Sequence, residues 1–104
     1  MWYAKGTELT MCEGDFGVKL PITVSDVTFT NSDEIRIEIK SNGEAIVTKT
    51  FGNISQNTVN LELTEAESAL LPVGTYSYCL DWYQNGSFLC NIIPFGLFVV
   101  GDKA

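Results

Sequence analysis

Apolar and polar residues alternate with a period of two along most of the chain, the pattern of strands that turn one face to a core and the other to water. Phe16, Val18, Leu20, Ile22 and Val24 alternate with Gly17, Lys19, Pro21, Thr23 and Ser25. This predicts a strand over 16–24, at an edge or bulge because Pro21 has no N–H for a ladder. Ile35, Ile37 and Ile39 alternate with Arg36, Glu38 and Lys40, and Asn42-Gly43 follows. That dipeptide suits the positive φ angles of a two-residue hairpin, so a returning strand is expected over Glu44–Phe51. After a polar turn containing Gly52-Asn53 and Gln56-Asn57, Val59, Leu61 and Leu63 against Asn60 and Glu62 mark another strand.

Thr64-Glu65-Ala66-Glu67 has capping-box spacing, in which a Thr and a Glu side chain satisfy each other's free backbone N–H groups at a helix start. Pro72 and Gly74 leave room for one short helical turn near 65–71. Beyond it Tyr76, Tyr78, Leu80 and Trp82 share one face, and Asn85-Gly86 turns the chain into a strand over 87–93. A bend at 94–96 leads to a last strand over 97–100. With a first strand near 7–12, the count is seven to eight short strands with turns every 8 to 12 residues, the spacing of a sandwich or small barrel. Tyr76, Tyr78 and Trp82, with Leu80, Leu89 and Ile93, are expected to form a buried aromatic layer.

Two surfaces are more apolar than water-facing strands need to be. Opposite the aromatic layer, the last hairpin carries Tyr83, Phe88, Cys90 and Ile92. In the final strand Phe95, Leu97, Phe98, Val99 and Val100 make both faces apolar, as in a strand buried on two sides. Tyr83, Phe88, Cys90, Ile92, Phe95, Leu97 and Val99 are therefore the candidate protein interface.

Composition narrows the functional classes. The 104 residues suffice for a single domain over 1–104, and a domain this size buries roughly 65% of its unfolded surface. The chain is 45% apolar and 18% charged, which is unlike a disordered segment. Thirteen acidic against six basic residues give a net charge of −7, which repels a phosphate backbone, so no nucleic-acid partner is expected. The opening residues lack a secretory apolar stretch, and no segment has the length of a bilayer span. Cytoplasmic synthesis and no membrane partner are expected.

There is no histidine, the commonest general base and transition-metal ligand. Glu13-Gly14-Asp15, Asp33-Glu34 and Glu65 to Glu67 fall at turns, where carboxylates are expected to be solvated. Cys12, Cys79 and Cys90 have no neighbouring base in sequence and no C-x-x-C spacing, so free, packed thiols are expected. With Asn85-Gly86 as a two-residue loop, Asp81 opposes Cys90 and Cys79 opposes Ile92. The two cysteines are then diagonal neighbours about 7 to 8 Å apart, beyond the about 6.8 Å of a disulfide. No catalytic residue, cofactor or metal ligand is assigned, and no enzyme activity is expected.

Several of these residues also form a longer pattern. Gly14-Asp15 precedes an alternating strand, and Leu63-Thr64-x-x-Glu67 is followed by Leu70-Leu71. Gly74-x-Tyr76-x-Tyr78-x-Leu80, a turn at Gly86 and a closing Gly96-x-Phe98-x-Val100 complete it. Together, over roughly residues 10–100, they resemble the immunoglobulin-like N-terminal domain of tailed-phage baseplate upper proteins and related prophage tail proteins. Cys79 departs from that pattern, in which an acidic residue often follows the second tyrosine. The resemblance implies an all-β fold, an immunoglobulin-like antiparallel β-sandwich. It also implies a non-catalytic assembly module that docks on neighbouring virion subunits or on itself; a free-standing form is expected to be an accessory or decoration subunit. The alternative on the same scaffold is a carbohydrate-binding or adhesin-type module using Trp2, Tyr3, Trp82 or Tyr83 as a stacking platform.

Overall fold

The computed structural model describes residues 3–5 (backbone), 8–17, 19–25, 28–54 and 57–102. Trp2, Thr7, Val18, Gln56 and the side chain of Tyr3 lie outside this set, so the readings that involve them are not addressed. The elements in chain order are β1 (Tyr3–Lys5), β2 (Glu8–Cys12), β3 (Leu20–Thr23), β4 (Asp33–Ser41), β5 (Glu44–Phe51), β6 (Thr58–Leu61), α1 (Glu65–Ala69), β7 (Gly74–Gln84) and β8 (Ser87–Gly101). Among the described residues they form a six-stranded sheet, β1-β2-β8-β7-β4-β5, and a two-stranded sheet, β3-β6. The protein is all-β, with two sheets facing each other across one apolar core.

The clearest alternation becomes the most regular strand. Ile35, Ile37 and Ile39 of β4 are fully buried, and each full burial of such a side chain stabilises by about 1.5–3 kcal/mol. They pair across the sheet with Trp82, Leu80 and Tyr78 of β7, so the isoleucines share one inner face with these members of the predicted aromatic layer, whereas Leu89, expected in that layer, is exposed beside the β7–β8 turn. Both predicted hairpins are present: Asn42 and Gly43 have φ of 52° and 82°, Asn85 and Gly86 of 52° and 80°, the left-handed pair that a twisted two-residue loop requires.

The smaller layer closes the core from the other side. Val59, Leu61, Leu63 and Leu71 are buried, and Leu20, Ile22, Val24, Phe29 and Ile54 pack on the same cluster. The capping box forms as the sequence predicts: Glu67 N–H donates to Thr64 Oγ1 at 3.1 Å, and Thr64 N–H to Glu67 Oε1 at 2.9 Å. The same Glu67 oxygen accepts from Lys49 Nζ at 2.8 Å, tying α1 to the inner face of β5. Burial pulls the Glu67 carboxyl up, but Lys49 and the Thr64 N–H outweigh it and hold the group below its ordinary value.

Four expectations need correction. The strand expected over 16–24 is regular only at Leu20–Thr23. The backbone swings to φ 73° at Gly17 and leaves Phe16 exposed, with single bonds from Gly17 N–H to Leu63 O and from Val24 N–H to Asn57 O at the two ends. Pro21 does lie where no ladder bond is demanded of it, in a sheet of only two strands. Second, the fold is not wholly antiparallel: β2 runs parallel to β8, with Leu9 beside Phe98 and Met11 beside Val100. Third, 87–93 and 97–100 are not separate strands. They are one fifteen-residue β8 whose register against β7 shifts three times. Fourth, these shifts displace the hairpin pairing, so Cys90 opposes Trp82, and Asp81 opposes Asn91.

The shift near residue 95 brings Gly96 opposite Tyr78, and its missing side chain is what the ring uses. A Cβ on Gly96 would collide with the ring atoms of Tyr78, itself 3% exposed in the core. Gly96→Ala is therefore expected to cost about 1–3 kcal/mol of stability in urea denaturation. A loss below about 0.5 kcal/mol would show that the ring is not held against this backbone.

Candidate functional site

The inner faces of the two sheets are spent on each other, which leaves the outer face of the six-stranded sheet without a covering layer among the described residues. Even positions of β4 put Glu34, Arg36, Glu38 and Lys40 there. Their partners Tyr83, Asp81, Cys79 and Ser77 join them from β7, and Leu97 and Val99 from β8, opposite Ser77 and Thr75. Phe95 is 67% exposed and Leu97 41%, and Val99 is half-buried between Thr75 and Thr10. Beside them runs a groove of about 300 Å³, with Thr75, Tyr76 and Ser77 along it, Phe95 and Leu97 on one side and the Lys40–Gly43 turn on the other.

At the other end of the same face the side chains stack. The Arg36 guanidinium lies 4.0 Å from the Tyr83 ring centroid, and Phe88 meets Tyr83 edge-on at 5.7 Å. Tyr83 is thus partly covered by its own sheet, while Phe88 and Cys90 are exposed. Ile92, assigned to this surface by unbroken alternation, packs instead on the core. The seven predicted interface residues therefore divide: Phe95, Leu97 and Val99 form one apolar strip, Tyr83 and Phe88 a second patch, Cys90 stands exposed and Ile92 leaves the surface.

Between the apolar ends lies a polar cluster that the sequence reading did not assemble. Asp81 and Cys79 are each 6% exposed. Asn91 Nδ2 donates to Asp81 Oδ1, Cys79 Sγ to Asp81 Oδ2 at 3.6 Å, and the thiol lies 4.0 Å from Glu38 Oε1. Ligand atoms of Glu38, Cys79 and Asp81 fall within 4.8 Å of one another. Coordination by Cys79 would require its thiolate, yet burial, then the negative charge of Asp81, pushes this thiol above its ordinary value. The arrangement suits a protonated thiol that donates to a carboxylate.

Asp33, expected to be a solvated turn residue, is 1% exposed. It accepts from Thr30 N–H at 2.7 Å, Trp82 Nε1 at 3.0 Å, Thr30 Oγ1 at 3.1 Å and Gln84 Nε2 at 3.2 Å. The turn that brings Thr30 onto Asp33 is local, but Trp82 and Gln84 arrive from a strand some fifty positions away. The donors, the Thr30 amide first and then Trp82, hold the carboxyl below its ordinary value against the opposing pull of burial. Trp82 is committed here: its indole N–H serves Asp33, its ring meets Phe29 edge-on at 5.2 Å and its body packs on the core. It is not a sugar-stacking platform.

A second cavity, of about 250 Å³, lies between the layers beside β3, lined by Leu9, Pro21, Ile22, Thr23, Tyr78, Leu80 and Ile93. Its lining side chains are apolar apart from those of Thr23 and Tyr78, and none of the described residues lining it carries a carboxylate, amine or thiol. It has the character of a packing gap. Comparison of the chain with protein-family models, curated proteins and solved structures finds no match.

Two outcomes follow from these side chains. The unfolded chain binds the Asp33 proton first as pH falls, because the folded pKa lies under the ordinary value of 3.8. The stabilisation is therefore full above about pH 5 and is lost as pH drops through the folded-state pKa. The stability gap between wild type and Asp33→Asn in urea denaturation is expected to narrow from pH 7 to pH 3; an unchanged gap would show that the charge of Asp33 plays no part. With an aromatic disulfide reagent on the native protein, Cys90 is expected to react first and Cys79 at least about tenfold more slowly, opening on denaturation. Equal rates would remove the buried hydrogen-bonded thiol.

Proposed function

We propose that this chain is an immunoglobulin-like sandwich serving as a non-catalytic assembly module of a phage or prophage tail or baseplate, docking through the outer face of its large sheet. The strand arrangement supports the fold reading. In a variable-type immunoglobulin domain, strands C′, C, F and G share one sheet and B and E lie in the other. Here β5, β4, β7 and β8 are neighbours in that order, opposite β3 and β6. At the corner between β6 and β7, the Tyr76 hydroxyl donates to the Pro72 carbonyl at 2.6 Å. This is the backward hydrogen bond of a tyrosine corner, and Tyr78 stands two residues on, where antibody domains carry a disulfide cysteine.

The observation that carries the functional reading is the strip of Phe95 and Leu97, large apolar side chains held out to solvent by a rigid central strand next to a groove. The hydrogen-bonded carboxylates support it indirectly, since Asp33, Glu67 and Asp81 are engaged in holding loops and strands together. The resemblance in the Tyr-x-Tyr strand and its flanking turns supplies the virion context.

The chain is expected as a fixed-stoichiometry component of particles purified from its source strain. Phe95→Asp is expected to remove it from those particles while changing its melting temperature by no more than about 3 °C, as for a surface substitution. Particles that lack the wild-type chain, or that take up Phe95→Asp at the wild-type level, would overturn the reading.

A further inference from the structure

We infer that the partner seated on this face is a second copy of the same chain, held by reciprocal insertion of Phe95 into the groove beside it. The inference rests on the proposed docking role of the face and identifies its occupant.

A two-fold interface must be self-complementary: whatever one patch projects, the same patch must also receive. The structure puts a projection and a recess side by side. Phe95 stands 67% exposed at the rim of the 300 Å³ groove formed with Leu97, Thr75, Ser77 and the Lys40–Gly43 turn. The recess is large enough for a benzyl side chain; Leu97 gives it an apolar side, and Thr75, Ser77 and the Lys40–Gly43 turn give it a polar one. A two-fold axis passing near Leu97 carries each Phe95 toward the other copy's groove and sets Leu97 against Leu97.

Charge permits the same occupant at this face and nowhere more highly charged. Two chains of net charge −7 repel each other, so they can meet only where the charge is low. β4, β7 and β8 carry five charged residues on this face: Glu34, Glu38 and Asp81 against Arg36 and Lys40, a net of −1. No acid lines the groove, and its one charged residue is Lys40. On β2 the same face adds Glu8, whereas Glu65 and Glu67 belong to α1, on the core side of the sheet.

The face is also large enough. Five strands, β2 to β5 in the sheet, at about 4.8 Å spacing and nine residues long at about 3.4 Å each, present about 700 Å² in projection. Specific dimers bury roughly 600–1,000 Å² per partner, so the contact takes up essentially the whole of this face.

Sedimentation velocity and equilibrium of the wild-type chain between 1 and about 500 µM, a range that brackets micromolar affinity, are expected to show a monomer–dimer equilibrium. Phe95→Ala, which removes the projection, and Ser77→Trp, which fills the recess, are each expected to weaken it at least tenfold. Native circular dichroism establishes that both variants fold. A wild-type chain that stays monomeric throughout the range, or a dimer that neither substitution weakens, overturns the inference. The docking role is judged separately: a monomer that still enters particles by way of Phe95 sinks only the second copy, and a Phe95-dependent dimer missing from every particle sinks only the tail assignment.

Discussion

The inner face of β4, β7 and β8 must be taken out of water, and the means of doing so are slight: two four-residue strands, one short helix and the loops between them. A six-stranded sheet cannot be roofed by so little regular structure unless the irregular parts are fixed in place. The capping box, the Lys49–Glu67 pair and the Asp33 cluster all answer that need. Each anchors a loop or helix end whose apolar residues, such as Leu63, Leu71 and Phe29, complete the core. Where the roof is thinnest, beside β3, the layers part and leave the cavity next to Ile22 and Tyr78.

This economy decides how the polar groups are used. Buried carboxylates cost several kcal/mol of desolvation unless paired or hydrogen-bonded, and each one here has donors. Asp33 takes four hydrogen bonds, two from Thr30 and one each from Trp82 and Gln84, and Asp81 takes the Asn91 amide and the Cys79 thiol. Asp33, which in sequence resembles a solvated turn acid, and the Cys79 thiol thus act as internal fasteners. The outer face carries Glu34, Arg36, Glu38 and Lys40 together with the apolar strip of Phe95 and Leu97, which is why the functional reading falls on a face and not on a reactive centre.

Much of the fold was legible because period-two alternation reports directly on burial. The Ile35-Ile37-Ile39 strand, both Asn-Gly hairpins and the Thr64 capping box could be located from local pattern alone, since their energetics are local. Three things could not. The parallel seat of β2 against β8 joins residues about ninety positions apart and leaves no periodic trace. The shifts in β8 depend on fitting Gly96 under Tyr78, a steric match between strands that alternation does not encode. Those shifts turn Ile92 to the core and set Cys90 opposite Trp82, so counting by twos from the Asn85-Gly86 turn failed beyond Phe88. The burial of Asp33 hinges on Trp82 and Gln84, whose approach only the tertiary fold reveals. The site was half legible for the same reason: Phe95, Leu97 and Val99 follow β8 past its last shift, whereas the Glu38-Cys79-Asp81 cluster needs two strands in register.

Lys49 has a further effect. It is the cation of an outermost strand, and it points to the core side of the sheet, opposite Ile37. Another chain trying to continue the sheet past β5 would have to stack its own side chains over that ammonium and its Glu67 companion, with no water to dissolve either. Growth strand upon strand into a fibril is thereby discouraged at β5. In a crowded population of these molecules, the β5 edge is thus a poor template for a neighbour's backbone.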